Sequence, residues 1–310
     1  MRRTTLLPLL LLIIFVILTL TMTACSSRNY ETNTYEVNEE FSSISIKTDT
    51  ADITFVPSDN GICKVSCFED EKKWHAVEVR DGILFINVVD EKEWYEYIGL
   101  NIDNPKVTVY LPKAEYSSLV IKEDTGDIEI AKDFNFEGID LSLSTGNVKL
   151  YASCTEDAKI VSSTGNIYIN DISTGSLDIS VSTGKVTVSG VTCNGNITVV
   201  VSTGKANLTN TVCRNLISRG STGDILLKNV IATEKISIER STGDVKFEGS
   251  DGAEIFVTTD TGDVEGSLLT DKVFITKTDT GRIRVPGSTS GGRCEITTDT
   301  GNIKITILED

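Results

Sequence analysis

Histidine occurs once in the chain, proline five times, and methionine and tryptophan twice each. Cys63, Cys67 and His75 could be read as a zinc site, but with one histidine in the chain and strand-like spacing they do not match the usual ligand pattern, and no metal is expected there. Basic residues are scarce: 29 Lys plus Arg stand against 45 Asp plus Glu, a net charge of -16. Nucleic acid is therefore excluded as a partner, because its phosphates would be repelled and no basic stripe offsets this. The nucleophile elbow, the phosphate loop and the dinucleotide fingerprint are all absent. Little proline beside 24 glycines suits a chain of many turns.

Long apolar runs are missing except for one. MRRTTLLPLLLLIIFVILTLTMTAC sets two arginines before an apolar run from Leu6 to Thr21, which reads as a secretion signal. Thr23, Ala24 and Cys25 resemble a bacterial lipobox, with Met22 where leucine is usual, so residues 1–24 are expected to be cleaved and Cys25 acylated. The alternative is an uncleaved membrane helix. Either reading places the remainder outside the cytoplasm, tethered to the cell membrane. Residues 25–40 (SSRNYETNTYEVNEE after the cysteine) are polar and aperiodic and read as a linker without fold.

The rest of the chain is dominated by a repeat. Apart from one STG at Ser173–Gly175 that falls off register, DTG and STG triplets place glycines at 126, 146, 165, 184, 204, 223, 243, 262, 281 and 301, always 19 or 20 residues apart. That is the signature of a solenoid. Seven and five residues before each glycine, and two and four after it, lie apolar residues. Around Gly146 these are Ile139, Leu141, Val148 and Leu150. An isolated first member has Ala51 in the glycine position, with Ile44, Ile46, Ile53 and Phe55. Over eleven coils, 38 of 44 such positions are Val, Ile, Leu or Phe, the exceptions being Ala158, Ala206, Ser218, Gly266, Thr276 and Cys294. Regularity of that order specifies four interior columns in stacked pairs of short strands. The expected fold is all-β: a right-handed parallel β-solenoid with coils about 4.8 Å apart. Residues 119–310 form the repeats. Residues 41–118 hold the first coil and a β-meander that covers it, since CKVSCF, HAVEV, ILFINVV and KVTVYL alternate with turns.

The glycines at Gly126, Gly146, Gly165, Gly184, Gly204, Gly223, Gly243, Gly262, Gly281 and Gly301 are assigned as structural turns, with positive φ or a close approach at each corner. The threonine before each has inward parity and is expected to pack. Asp279 sits in a triplet that carries the catalytic acid of pepsin-like proteases, but a single file of such corners offers no facing pair to share a proton. Asp260, Asp279 and Asp299, in successive coils, are the candidate metal site, with at most millimolar calcium affinity expected because Arg282 neutralises the file. Cys193 and Cys213 occupy equivalent places in adjacent coils and are either a disulfide or two neighbouring reduced thiols, whereas Cys294 lies in a core column. Trp94, Tyr95, Tyr97 and Leu100 form a largely aromatic cluster suited to packing or to a sugar or protein contact. No cofactor is implied.

The stretch KVTVYLPKAEYSSLVIKEDTGDIEI, followed by serial TGDI, TGNV and TGDV turns, resembles the bacterial β-strand-repeat family called putative adhesins, also known as a domain of unknown function. The resemblance runs from about Phe41 to the C-terminus. It implies a β-helical fold and an envelope location and supplies no catalytic residues. The expected function is a membrane-anchored binding or structural module of the cell envelope with a protein or glycan ligand, in adhesion or envelope stress, and not an enzyme. The rival is a polysaccharide lyase or hydrolase, which needs long loops between coils that 19- and 20-residue intervals do not accommodate.

Overall fold

The computed structural model describes residues 30–97 and 104–308, and among them no helix is long and apolar enough to cross a membrane. The repeats form a β-solenoid. In the coil of Gly146, the strand Asn135–Thr145 runs to the corner and Val148–Leu150 leaves it. Both pair in parallel with the next coil, Leu141 opposite Ile160 and Val148 opposite Ile167. In-register stacking places like on like, so Leu141, Val148, Leu150 and Ile160 are fully buried. Each such side chain contributes roughly 1.5–3 kcal/mol of hydrophobic stabilisation.

The stretch expected to be a variable connection is a third side with its own strands, Ser153–Cys154, Ser173–Thr174 and Thr192–Cys193. Its two columns carry small or mixed residues: Ala152, Ile172 and Val191 in one, Cys154, Thr174 and Cys193 in the other, all buried. From Ala206 to Thr261 the corner between second and third sides stays hydrogen-bonded, and single strands of 17 or 18 residues turn it.

Both glycine arguments hold at the interior corners, while Gly281 in the last coil shows only the close approach. Gly223 has φ +123°, and a Cβ there would lie 1.9 Å from the carbonyl oxygen of Gly204 beneath it. The threonines before the glycines are exposed, contrary to the inward expectation. The burial alternation breaks at the corner, and their carbonyls accept the glycine N–H of the neighbouring coil, as Thr164 does from Gly146 at 2.9 Å. A second ladder runs beside the glycines. The residue after each glycine offers a side-chain oxygen to the backbone N–H of its counterpart: Asp127 to Asn147 at 2.7 Å, Asn147 to Asn166 at 3.0 Å, Asn166 to Lys185 at 3.0 Å. Lysine cannot accept, so the ladder stops at Lys185 and Lys205, where Lys205 instead pairs with Asp224 at 2.8 Å. It resumes from Asp224 through Asp244 to Asp263.

At the N-terminal end the expected covering of the first coil is present, but not as one meander. Ile83–Asp90 continues one face of the solenoid in parallel with Ser43–Lys47, and Lys106–Leu111 continues the other beside Asp52–Pro57. Lys73–Arg80 and Cys63–Asp70 then add antiparallel outside them, joined to each other only at Asp70 and Lys73. The parallel pairings of the first coil with the cap end at Lys47 and begin again at Asp52, so among the described residues no further glycine corner stacks on Ala51. The stretch read as an unfolded linker supplies a further strand: Tyr30–Val37 pairs antiparallel along all of Cys63–Asp70. Its apolar alternation is interrupted by the half-buried Asn33, whose Nδ2 donates to buried Glu69 at 2.9 Å, so it reads as polar.

The C-terminal coils do not stack in chain order. The strand Gly292–Thr300 lies between Val245–Thr261 and Lys272–Thr280, with Cys294 opposite both Ile255 and Phe274. The coil of Gly301 is thus inserted between those of Gly262 and Gly281, and the Gly281 coil ends the stack. The side-chain ladder follows the same order: Asp263 accepts from Asn302 at 2.7 Å and Asn302 from Arg282 at 3.1 Å. Arginine, unable to accept, stands where no further coil follows.

Candidate functional sites

Cys25 and Leu100 lie outside the described residues. The ten corner glycines line one edge of the rod. Asp260, Asp299 and Asp279 follow one another there in that order, not in chain order, and all are exposed. Asp279 pairs with Lys277 at 3.1 Å, and the three carboxylates do not converge on a common point. Cys63, Cys67, Cys154, Cys193, Cys213 and Cys294 are all free and buried, so the Cys193–Cys213 pairing is not formed. Burial pushes the thiols of Cys63, Cys67, Cys213 and Cys294 up to about 12, which suppresses the reactive thiolate.

The aromatic cluster sits on the cap. Trp94–Tyr97 is a single 3-10 turn with Trp94 75% exposed. Lys92 to Asp70 at 2.9 Å and Lys72 to Glu96 at 2.6 Å hold it to the turn that follows Cys63–Asp70. Tyr97 donates to Asp90, and Trp94 meets Tyr95 edge to face.

Two ionisable side chains buried three residues before a corner were not anticipated. Glu123 is buried; its Oε1 accepts from the N–H of Ala51 and Thr125, while Oε2 has no partner. Burial outweighs those bonds and raises its carboxyl to about 8. Arg240 is also buried. Its Nη2 donates to Ser218 at 2.8 Å, and Nε and Nη1 are unpartnered. Gly220 leaves the room, since a Cβ there would lie 1.7 Å from Nη1. The serine among the apolar columns was the visible trace of this arginine. A third group lies under the cap: Thr48 Oγ1 stands 3.0 Å from His75 Nε2, and His75 Nδ1 stands 2.9 Å from Glu69 Oε2. The order of groups matches a hydrolase relay, yet all three are buried and none lines any of the larger grooves.

The surface that differs most from the rest is the open end. The Gly281 coil pairs on one side only. Ile283, in a column whose other members are fully buried, is 45% exposed, and Ile275 is 49% exposed. Val273, Leu269 and Leu308 are exposed nearby, beside a groove of about 620 Å³ lined by Leu269, Arg284, Val285, Pro286 and Ile307. Among the described residues Arg282 and Arg284 have no ion-pair partner, whereas Lys277 and Arg293 are paired with Asp279 and Glu295. In an acidic chain, this end combines free strand edge, apolar side chains and positive charge.

A family model described as Toastrack DUF4097 matches residues 41–202 and 193–310. No curated protein matches the sequence. Among solved structures, a putative adhesin from Bacteroides fragilis NCTC 9343 is 18% identical, with 90% of this chain and 98% of that one covered at a TM-score of 0.44. A putative adhesin from Parabacteroides merdae ATCC 43184 is 10% identical, with 91% and 97% covered and a TM-score of 0.49. A putative lipid binding protein from Parabacteroides distasonis ATCC 8503 is 18% identical, with 90% and 98% covered and a TM-score of 0.45.

Proposed function

The chain belongs to the Toastrack DUF4097 family, and from that premise we propose that it is a non-catalytic binding module of the bacterial cell envelope. Acylated Cys25 anchors it to the extracytoplasmic face of the membrane, and the open C-terminal end receives the ligand. The observation that carries this reading is the opposition of the two ends. The chain enters at the cap, where Tyr30 begins the first strand five residues past Cys25. Five extended residues span at most about 18 Å, so the cap stays near the bilayer. The unpaired Gly281 coil lies some ten coils away, roughly 50 Å at 4.8 Å per coil. Its occupant is an extended, acidic segment of an envelope protein that adds as a further strand against Lys272–Thr280, with carboxylates facing Arg282 and Arg284.

Two measurements test this. Fatty-acid labelling of the wild type, lost in Cys25→Ala, supports the anchor, and equal labelling of both refutes it. Purified chain held by its N-terminus should retain envelope fragments until they are protease-treated, and lose them in the Ile275→Lys/Ile283→Lys variant. Retention on protein-stripped glycan would replace the protein ligand by a carbohydrate, and glycan cleavage would overturn the non-catalytic reading.

A further inference from the structure

We propose that Cys67, Glu69 and His75 form a binding site for a zinc-class divalent cation inside the cap. Cys67 and Glu69 are two residues apart on the strand Cys63–Asp70 and so face the same side, and His75 enters from the next strand across a short turn. The Cys67 sulfur, a Glu69 carboxylate oxygen and a His75 ring nitrogen all lie within 4.8 Å of one another. Ligands around tetrahedral zinc at bond lengths of about 2.0–2.3 Å stand roughly 3.5 Å apart, so His75 Nδ1 and Glu69 Oε2, now 2.9 Å apart, must open slightly while the Cys67 sulfur stays within reach.

The surroundings are those of a supported metal centre. A ligating histidine is normally oriented through its second nitrogen, and a ligating carboxylate through its second oxygen. Glu69 Oε2 accepts the His75 backbone N–H at 2.7 Å and faces Nδ1 at 2.9 Å; with an ion bound, the ring proton sits on Nε2 and donates to Thr48 Oγ1 at 3.0 Å, which frees the Nδ1 lone pair for the metal. Glu69 Oε1 is held by Asn33 at 2.9 Å, with the Tyr35 hydroxyl at 3.5 Å. Cys67, fully buried, makes no hydrogen bond among the described residues, so its sulfur is free to ligate.

Charge favours occupation as well. On binding, the S–H bond breaks, a proton leaves to solvent and a sulfur–metal bond forms. The Cys67 thiolate and Glu69 carboxylate then cancel the dipositive ion, and His75 stays neutral. A buried complex without net charge avoids the desolvation penalty that an isolated carboxylate would meet. Tyr35, whose hydroxyl stands 3.5 Å from Glu69 Oε1, also lines a groove of about 340 Å³ with Val77 and Val79, so an ion entering from that side has to pass the Tyr35 ring. Nothing in this inference depends on the anchor or on the open end.

Cobalt(II) added to the metal-stripped full chain tests it. The expected result is one equivalent bound with a thiolate-to-cobalt absorption band, and a melting temperature that rises with zinc concentration. Cys67→Ser should lose both, while Cys63→Ser, altering the neighbouring buried thiol, should keep both. If Cys67→Ser does not fold, alkylation of the wild type in mild denaturant serves instead: zinc should protect Cys67 and leave Cys63 reactive. A cobalt spectrum without the thiolate band, or equal protection of the two cysteines, overturns the proposal.

Discussion

The two ends of the rod meet the same problem in opposite ways. A solenoid coil presents free N–H and C=O groups and half a hydrophobic core to whatever lies beyond it. At the N-terminal end the cap continues both main faces, and Ile44, Ile53, Leu84 and Val107 are fully buried there. At the C-terminal end the Gly281 coil keeps an edge without a partner, and Ile283 is exposed although Ile303, one coil inward in the same column, is fully buried. Identical repeat positions thus carry very different energies, and the neighbour decides which.

That contrast can be broken most violently at an interior corner. Gly223→Val puts a β-branched side chain at φ +123° and 1.9 Å from the Gly204 carbonyl oxygen. Loss of more than about 4 kcal/mol is expected, read by denaturant unfolding, and a wild-type melting curve would refute the stacked-glycine account. Ile303→Ala should cost about 2–5 kcal/mol, as for other large-to-small core changes. Ile283→Ala should cost less than about 1 kcal/mol. Equal losses would mean that the Gly281 coil is covered in solution.

Glu123 sharpens the comparison from the capped side, where Thr125 N–H and Ala51 N–H converge on it. Its carboxyl is raised from 4.5 to about 8 in the folded chain, so between those values the folded state holds a proton that the unfolded state has released. Stability is therefore lost as pH rises through that window, at up to about 1.4 kcal/mol per unit. Glu123→Gln should remove this dependence and melt higher than wild type above pH 8; parallel pH profiles would contradict the assignment. The smallest effect belongs to the open edge. Ile275→Lys/Ile283→Lys should change unfolding free energy by no more than about 0.5 kcal/mol while lowering ligand retention. A large destabilisation would show that these side chains are structural.

Much of this architecture was legible before the fold was seen. Corner glycines and four apolar columns are strong signals because every coil must satisfy the same stacking geometry. The third side was not, because its columns mix Ala, Ile and Val with Cys and Thr in strands of two residues, too short to show a period. The strand Tyr30–Val37 hid behind Asn33, polar because Glu69 needs a donor. The group of Thr48, Glu69 and His75 joins three segments that only the cap brings together. The order of the last coils had a trace, since Asn302 can accept a bond from a following coil and Arg282 cannot, but the core columns of both coils are equally plausible in either order. The apolar run before Cys25 is the one strong signal that the described residues do not reach.

The insertion of the Gly301 coil between its two predecessors determines which coil is exposed, and cysteine pairs on the corner file test it directly. Thr300 is in register with both Thr261 and Thr280, so Asp299 lies next to Asp260 and next to Asp279, while Asp260 and Asp279 are two coils apart. Neighbouring coils are about 4.8 Å apart, within disulfide reach, and alternate coils, near 10 Å, are beyond the roughly 7 Å limit. Under mild oxidation D260C/D299C should form an intramolecular disulfide and D260C/D279C should not. A disulfide in D260C/D279C with none in D260C/D299C would restore the chain-order stack and contradict the open end described for the Gly281 coil.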